Sequence, residues 1–165
     1  MQIELASRVT DELLDALTRL IPQLKISSPR LTRDEVAGLL SSDAVTLLTA
    51  RANADASIVG MLTLIVYRVP TGVRARIEDV VVDESARGQG VAVALVERAL
   101  EVVRAKGADG VALTSNPRRE AANQLYQKVG DERVFLQVRV TGVGVQSLQT
   151  LEFCQHPNVW RRWSP

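Results

Sequence analysis

The residues best placed to do chemistry form one run, Val80-Val81-Val82-Asp83-Glu84-Ser85-Ala86-Arg87-Gly88-Gln89-Gly90-Val91-Ala92. An apolar strand enters a short turn, and the turn opens a long helix. The first amides of a helix have no partners within it and point outward, and the helix dipole adds positive potential there. Gly88 and Gly90 let the backbone approach an anion closely and adopt dihedrals that other residues resist. Arg87 adds a permanent positive charge. The chemistry on offer is anion binding, in a cradle suited to a pyrophosphate. The alternative is that the glycines only make a tight strand-to-helix turn. A nucleotide-binding P-loop does not fit, because the Gly-Lys-Ser or Gly-Lys-Thr step is missing. A dinucleotide fingerprint does not fit either, because it needs a third glycine.

The strand that feeds this turn carries a second signal. Arg74, Arg76 and Glu78 alternate with Ala75, Ile77 and Asp79, and the run Val80–Val82 then breaks the alternation. Loss of period inside a strand predicts a bulge. A bulge would splay the strand from its neighbour and expose backbone groups that an extended, amide-bearing ligand can pair with. A plain buried strand would give the same run of valines. Glu78 and Asp79 put adjacent carboxylates at this place. A carboxylate here can accept a proton, or Glu78 can be absorbed in an ion pair with Arg74 or Arg76 on its own face.

These groups need elements to hold them. Residues 1–6 read as a strand. Thr10 caps a helix with Asp11 and Glu12 in its first turn and Leu13, Leu17, Leu20 and Leu24 at helical spacing, until Pro22 ends or kinks it. Thr32 and Glu35 form a capping box for a second short helix, with Val36, Leu39 and Leu40 inward. Strands follow at 45–50, 58–67 and 73–83, separated by turns at Asn53–Asp55 and Pro70–Gly72. The middle one is too continuously apolar to have a wet face. Residues 91–106 form an amphipathic helix, with Val91, Leu95, Ala99 and Val102 on one side and Glu97, Arg98, Glu101 and Arg104 on the other; Gly107 stops it. A buried strand at 111–114, a helix at 118–128 capped by Asn116-Pro117 and ended by Gly130, and a strand at 134–140 complete the pattern. The order is that of a mixed α/β domain, with hairpins before the midpoint and a β-α-β unit after it.

The bulk properties narrow the options. The chain has 165 residues, enough for one domain with a full core. Its formal net charge is +1, which speaks against a dedicated nucleic-acid binder. No apolar run reaches the length of a membrane span, and the N-terminus lacks the pattern of a signal peptide. The single cysteine, Cys154, suits a reducing compartment, so a cytoplasmic protein without membrane attachment is expected. With His156 it is too little for a zinc site, and no metal is expected.

The runs Ile77–Val82 and Arg87–Ala92 together resemble the GNAT superfamily of acetyl-CoA-dependent N-acetyltransferases. Arg87, Gly90 and Ala92 match the family's phosphate signature, and Ala121–Gly130 is similar to its closing helix at the usual distance. The resemblance covers about residues 1–130 of a single domain spanning 1–165. It implies a mostly antiparallel mixed sheet with a splayed central pair of strands, flanked by about four helices. It implies acetyl-CoA as co-substrate: the backbone of Val80, Val81 and Val82 would pair with the pantetheine arm, and amides of Arg87, Gly88, Gln89, Gly90, Val91, Ala92 and Val93 would hold the pyrophosphate. Asn123 would contact the arm, and Tyr126 would stand near the sulfur.

The expected reaction is direct transfer of the acetyl group to a primary amine in a ternary complex. An amine of ordinary pKa, about 10.4, arrives protonated and needs a proton acceptor. Glu78 is the candidate base and Asp79 the runner-up. The tyrosine phenol, Tyr126, can protonate the leaving thiolate, or it can be a core aromatic. Acceptors would be small-molecule or protein amines, and homodimers are common on this fold. The departures lie after Gly130. Asp131 stands where the family usually has an aromatic, the register of Gly142–Phe153 as a closing strand is open, and Trp160-Arg161-Arg162-Trp163 has no family counterpart. The alternatives are a non-catalytic acyl-CoA-binding module and an interaction domain using that tail.

Overall fold

The computed structural model describes residues 1–24, 30–53, 56–108, 110–115, 122, 124, 135–140 and 149–153. Local chemistry sets the ends of its helices. Helix α1 (Asp11–Leu20) opens where Thr10 Oγ1 accepts the Leu13 N–H at 3.1 Å. It buries Leu13, Ala16, Leu17 and Leu20, then tightens into a single 3₁₀ turn, Ile21–Gln23, where Pro22 removes a donor. Helix α2 (Arg33–Leu40) has the full capping box: Glu35 N–H donates to Thr32 Oγ1 at 3.2 Å, and Thr32 N–H to Glu35 Oε2 at 2.8 Å. Helix α3 (Val91–Ala105) ends in a left-handed Gly107, after which the Ala108 N–H reaches back to the Val103 carbonyl at 3.1 Å. Its buried side is Val91, Leu95, Val96, Ala99, Leu100 and Val103. Val102, expected inward, is only partly buried against that core.

The strands are β1 (Gln2–Leu5), β2 (Val45–Arg51), β3 (Ile58–Val69), β4 (Gly72–Val82), β5 (Gly110–Ser115), β6 (Phe135–Val140) and β7 (Gln149–Phe153). They lie in chain order in one sheet. β1 to β4 form an antiparallel meander, β5 is parallel to β4, β6 is parallel to β5, and β7 returns antiparallel to β6. The closing strand within Gly142–Phe153 is therefore β7, in register Leu136–Phe153 to Val140–Gln149. The described residues hold three α-helices. Of the helix expected at 118–128 only residues 122 and 124 are described, and both are helical.

Two apolar layers sandwich the meander. Leu48, Ala50, Leu62, Leu64, Ala75 and Ile77 pack under α3, while Leu47, Ile58 and Met61 pack under α1 and α2. Leu47 and Leu48 thus serve opposite faces, which is why the middle strands read as unbroken apolar runs. Burying a leucine as fully as Leu20, Leu48, Leu62, Leu64 or Leu95 stabilises the fold by roughly 1.5–3 kcal/mol.

The parallel pair β4–β5 is short. Its register holds only at Ala75–Val111, Arg76–Ala112 and Ile77–Leu113. Beyond that point β5 continues along β6 to Ser115, and β4 continues along β3 to Val82. The two central strands fork.

Candidate active site

The fork coincides with a bulge. Between Met61–Val81 and Thr63–Glu78, β3 advances two residues while β4 advances three. Asp79 supplies the left-handed step, with φ of 48°, a conformation aspartate tolerates better than most side chains. The extra residue also switches faces. Ala75 and Ile77 pack toward α3, but Val81, an even number of residues on from each and so on the same face of an unbroken strand, is buried under α1 and α2. The broken alternation in the sequence is this bulge.

Arg76 sits at the vertex. Its Nε donates to Glu78 Oε1, and its Nη2 to Thr114 Oγ1 across the fork at 3.1 Å. Glu78 is therefore in the ion pair that was the alternative to its role as base. Asp79 differs. No hydrogen bond or ion pair holds its carboxylate among the described residues. The residue as a whole is exposed, while the protein around its carboxyl takes away part of that group's water. This partial burial, and next the charge of Glu78, raise its pKa above the ordinary aspartate value.

At its far end β4 runs into the turn. Asp83 N–H donates to the Val59 carbonyl at 2.8 Å, and the Asp83 carboxylate accepts from Ser85 N–H at 3.1 Å and Ser85 Oγ at 2.7 Å. A 3₁₀ turn, Glu84–Ala86, buries Ala86 beneath it. Gly88 and Gly90 then take φ of 76° and 80°, and a Cβ at either would meet only open space. The α3 ladder starts with Ala94 N–H to the Gly90 carbonyl at 3.1 Å, and no side chain caps the helix. The amides of Val91, Ala92 and Val93 precede that ladder. The residues from Arg87 to Gly90 are all exposed.

Helix α1 braces this turn. Arg19 donates to Asp83 Oδ2 and, at 2.6 Å, to the Ile58 carbonyl. Arg87 folds back: Nε donates to the Val82 carbonyl at 3.3 Å and Nη2 to Gln23 Oε1 at 3.2 Å. Gln23 in turn donates to the Arg19 carbonyl at 3.3 Å. Below, α3 lies so close to β3 that a Cβ on Gly60 would come within 2.9 Å of Val91 Cγ1 and 3.3 Å of the Val81 carbonyl.

A forked parallel pair, a bulge, and an uncapped helix behind a glycine turn agree with the match of residues 10–131 to the model of the acetyltransferase (GNAT) family. The chain belongs to this family. No match is found among curated proteins. A Trypanosoma brucei acetyltransferase is 30% identical, with 79% of this chain and 92% of that one aligned at a TM-score of 0.62. An aminoglycoside acetyltransferase from an uncultured soil metagenomic sample, solved with trehalose, is 21% identical over 79% of this chain and 87% of its own, at 0.68. The ribosomal-protein-alanine N-acetyltransferase of Brucella melitensis is 20% identical over 79% and 92%, at 0.61. The latter two share the fold, and their names carry different acceptors.

Within this GNAT fold, Glu78 to Val82 and Arg87 to Val93 lie along one path, from the fork through the turn into α3. Asn123 and Tyr126 lie outside the described residues. Sequence reasoning missed Arg19, Gln23, Gly60 and the bracing role of Arg76. Only Gly60 carried a local signal: an isolated glycine in an apolar strand marks close backbone approach. No helix among the described residues is long and apolar enough to cross a membrane.

Proposed function

We propose that this GNAT protein is an N-acetyltransferase that moves the acetyl group of acetyl-CoA onto a primary amine by direct transfer in a ternary complex, within one domain. The observation that carries the reading is the continuity of the fork with the uncapped α3 terminus. Beyond Ile77 the β5-facing edge of β4 is outside the β4–β5 register. Val80–Val82 therefore have backbone groups for the amides of a pantetheine arm. The same strand delivers the phosphates to Gly88–Val93, where the open space before the glycines and the unladdered amides fit an anion.

In this reading the neutral amine attacks the thioester carbonyl. The C–N bond forms, the C–S bond breaks, and CoA leaves as a thiolate. A strand amide stabilises the oxyanion. Tyr126 returns a proton to the thiolate. The amine's proton goes to a carboxylate at the bulge. Two observations favour Asp79 over Glu78 for that step: Glu78 is held by Arg76, and Asp79 is unheld with a raised proton affinity.

The test is thiol release from acetyl-CoA against a panel of small-molecule and peptide amines. Turnover with at least one amine is expected. Binding of acetyl-CoA without turnover across the panel would make the protein a non-catalytic acyl-CoA binder. Tyr126→Phe is expected to lower kcat by about 10²-fold; an unchanged rate at every pH would remove it as the acid.

A further inference from the structure

Ser115 ends β5 and is only 4% exposed. Its Oγ is a buried side-chain polar atom without a hydrogen-bond partner among the described residues. A hydroxyl in that condition has given up water and received nothing in exchange, which is why buried polar groups in native proteins nearly always have partners. Its position suggests what completes it. Val111, Leu113 and Ser115 are the buried, alternating positions of β5, and the first two belong to the core under α3. The β4–β5 register ends at Ile77–Leu113. Ser115 is therefore the first residue past the vertex of the fork on the α3 side, the side on which Val80 and Val82 are partly buried.

We infer that the Ser115 hydroxyl is a ligand contact, hydrogen-bonding an amide of the extended arm that enters the fork. This rests on the acetyl-CoA reading. The chemistry selects the arm over the other parts of the ligand. A hydroxyl both donates and accepts, which matches a neutral secondary amide. The described residues sharing its face are Val111 and Leu113, with Val80 and Val82 across the fork, and among them none supplies the positive charge a phosphate requires.

The experiment is calorimetric titration of the whole chain and of Ser115→Ala with acetyl-CoA and with the 3′-phosphorylated ADP portion of CoA, which has no arm. Thermal unfolding of both free proteins is measured alongside. The variant is expected to bind acetyl-CoA about tenfold more weakly, about 1.4 kcal/mol, and to bind the nucleotide portion as before. Its Tm without ligand is expected to be unchanged or higher, because a methyl group replaces an unsatisfied hydroxyl. Equal affinity of both proteins for acetyl-CoA would overturn the inference. So would a lower Tm with both ligands weakened together, since that marks a structural hydroxyl. If the unmodified chain does not bind acetyl-CoA at all, the functional reading falls first and the inference falls with it.

Discussion

Between Asp83 and Val93 the chain builds the proposed anion cradle from consecutive residues, whereas the fork is assembled from side chains far apart in sequence, Arg76 and Thr114 standing 38 residues apart. In the proposed function the cradle works through backbone amides, while the side chains of Asp83, Ser85 and Arg87 hold the turn in shape. The fork works through side chains whose neighbours decide their state. Adjacent carboxylates there have different fates: Glu78 is bound by Arg76, and Asp79, lifted out by the bulge, is not. Two kinds of sensitivity follow. The cradle should fail when its backbone is displaced, and the fork when single side chains are exchanged.

The sharpest test of that contrast is at the fork. Asp79→Asn is expected to lower kcat by about 10²–10⁴-fold, the usual contribution of a general base, with the KM for acetyl-CoA little changed. Glu78→Gln should lower it less. The reverse ranking in steady-state kinetics would return the base to Glu78. The same variant gives a check on stability. A carboxyl whose pKa is raised on folding contributes stability below its ordinary value, about 3.9, and loses it as pH rises through the raised one. Asp79→Asn should therefore unfold at a higher Tm than the unmodified protein at pH 7, and the difference should vanish near pH 3. A lower Tm at pH 7 would mean the bulge depends on the carboxylate.

At the cradle, Gly60→Ala should act by displacing α3, since a Cβ there meets Val91 and the Val81 carbonyl. Overpacking of this kind costs about 1–3 kcal/mol. The KM for acetyl-CoA should rise more than kcat falls. An unchanged KM would show that the amides at the start of α3 do not depend on its seating.

A smaller effect is expected where α1 braces the turn. Arg19→Ala and Asp83→Asn should each raise the KM for acetyl-CoA several-fold, and the double variant should be no worse than the poorer single one, because both remove one interaction. Additive losses in a double-mutant cycle would break that assignment.

The smallest effect lies outside both regions. Arg51 donates to Glu12 and holds its carboxyl below the usual range. A lowered pKa contributes stability above the ordinary glutamate value, about 4.3, that fades as pH falls through the lowered one. Glu12→Gln should cost under about 1 kcal/mol at pH 7, as exposed pairs do, and nothing near pH 2, with kinetics unaffected. A change in kinetics would tie α1 to the site by a second route.

How much of this was legible in advance follows the same division. Thr10, Thr32 with Glu35, and Gly107 announce helix ends because capping is chemistry between residues a few positions apart. The glycine turn into α3 was readable for the same reason, as was the broken alternation at Val80–Val82, since side-chain period is local to a strand. Arg87 was legible as part of the turn that opens α3, but its contact with Gln23 had no trace in the sequence. The partner of Glu78 was open between Arg74 and Arg76, and only the twist and fork of the strands selected Arg76.

By itself, then, the sequence determined where strands and helices begin, which turn exposes helix amides, and that β4 loses its period before it. Those properties depend on neighbours within a turn or a strand pair. The tertiary structure decided which carboxylate Arg76 holds, that α1 braces the turn through Arg19, that Gly60 seats α3, and that Ser115 is buried at the fork with no hydroxyl partner among the described residues. Each of these depends on distances between elements that the chain closes only when the sheet and its two apolar layers have packed.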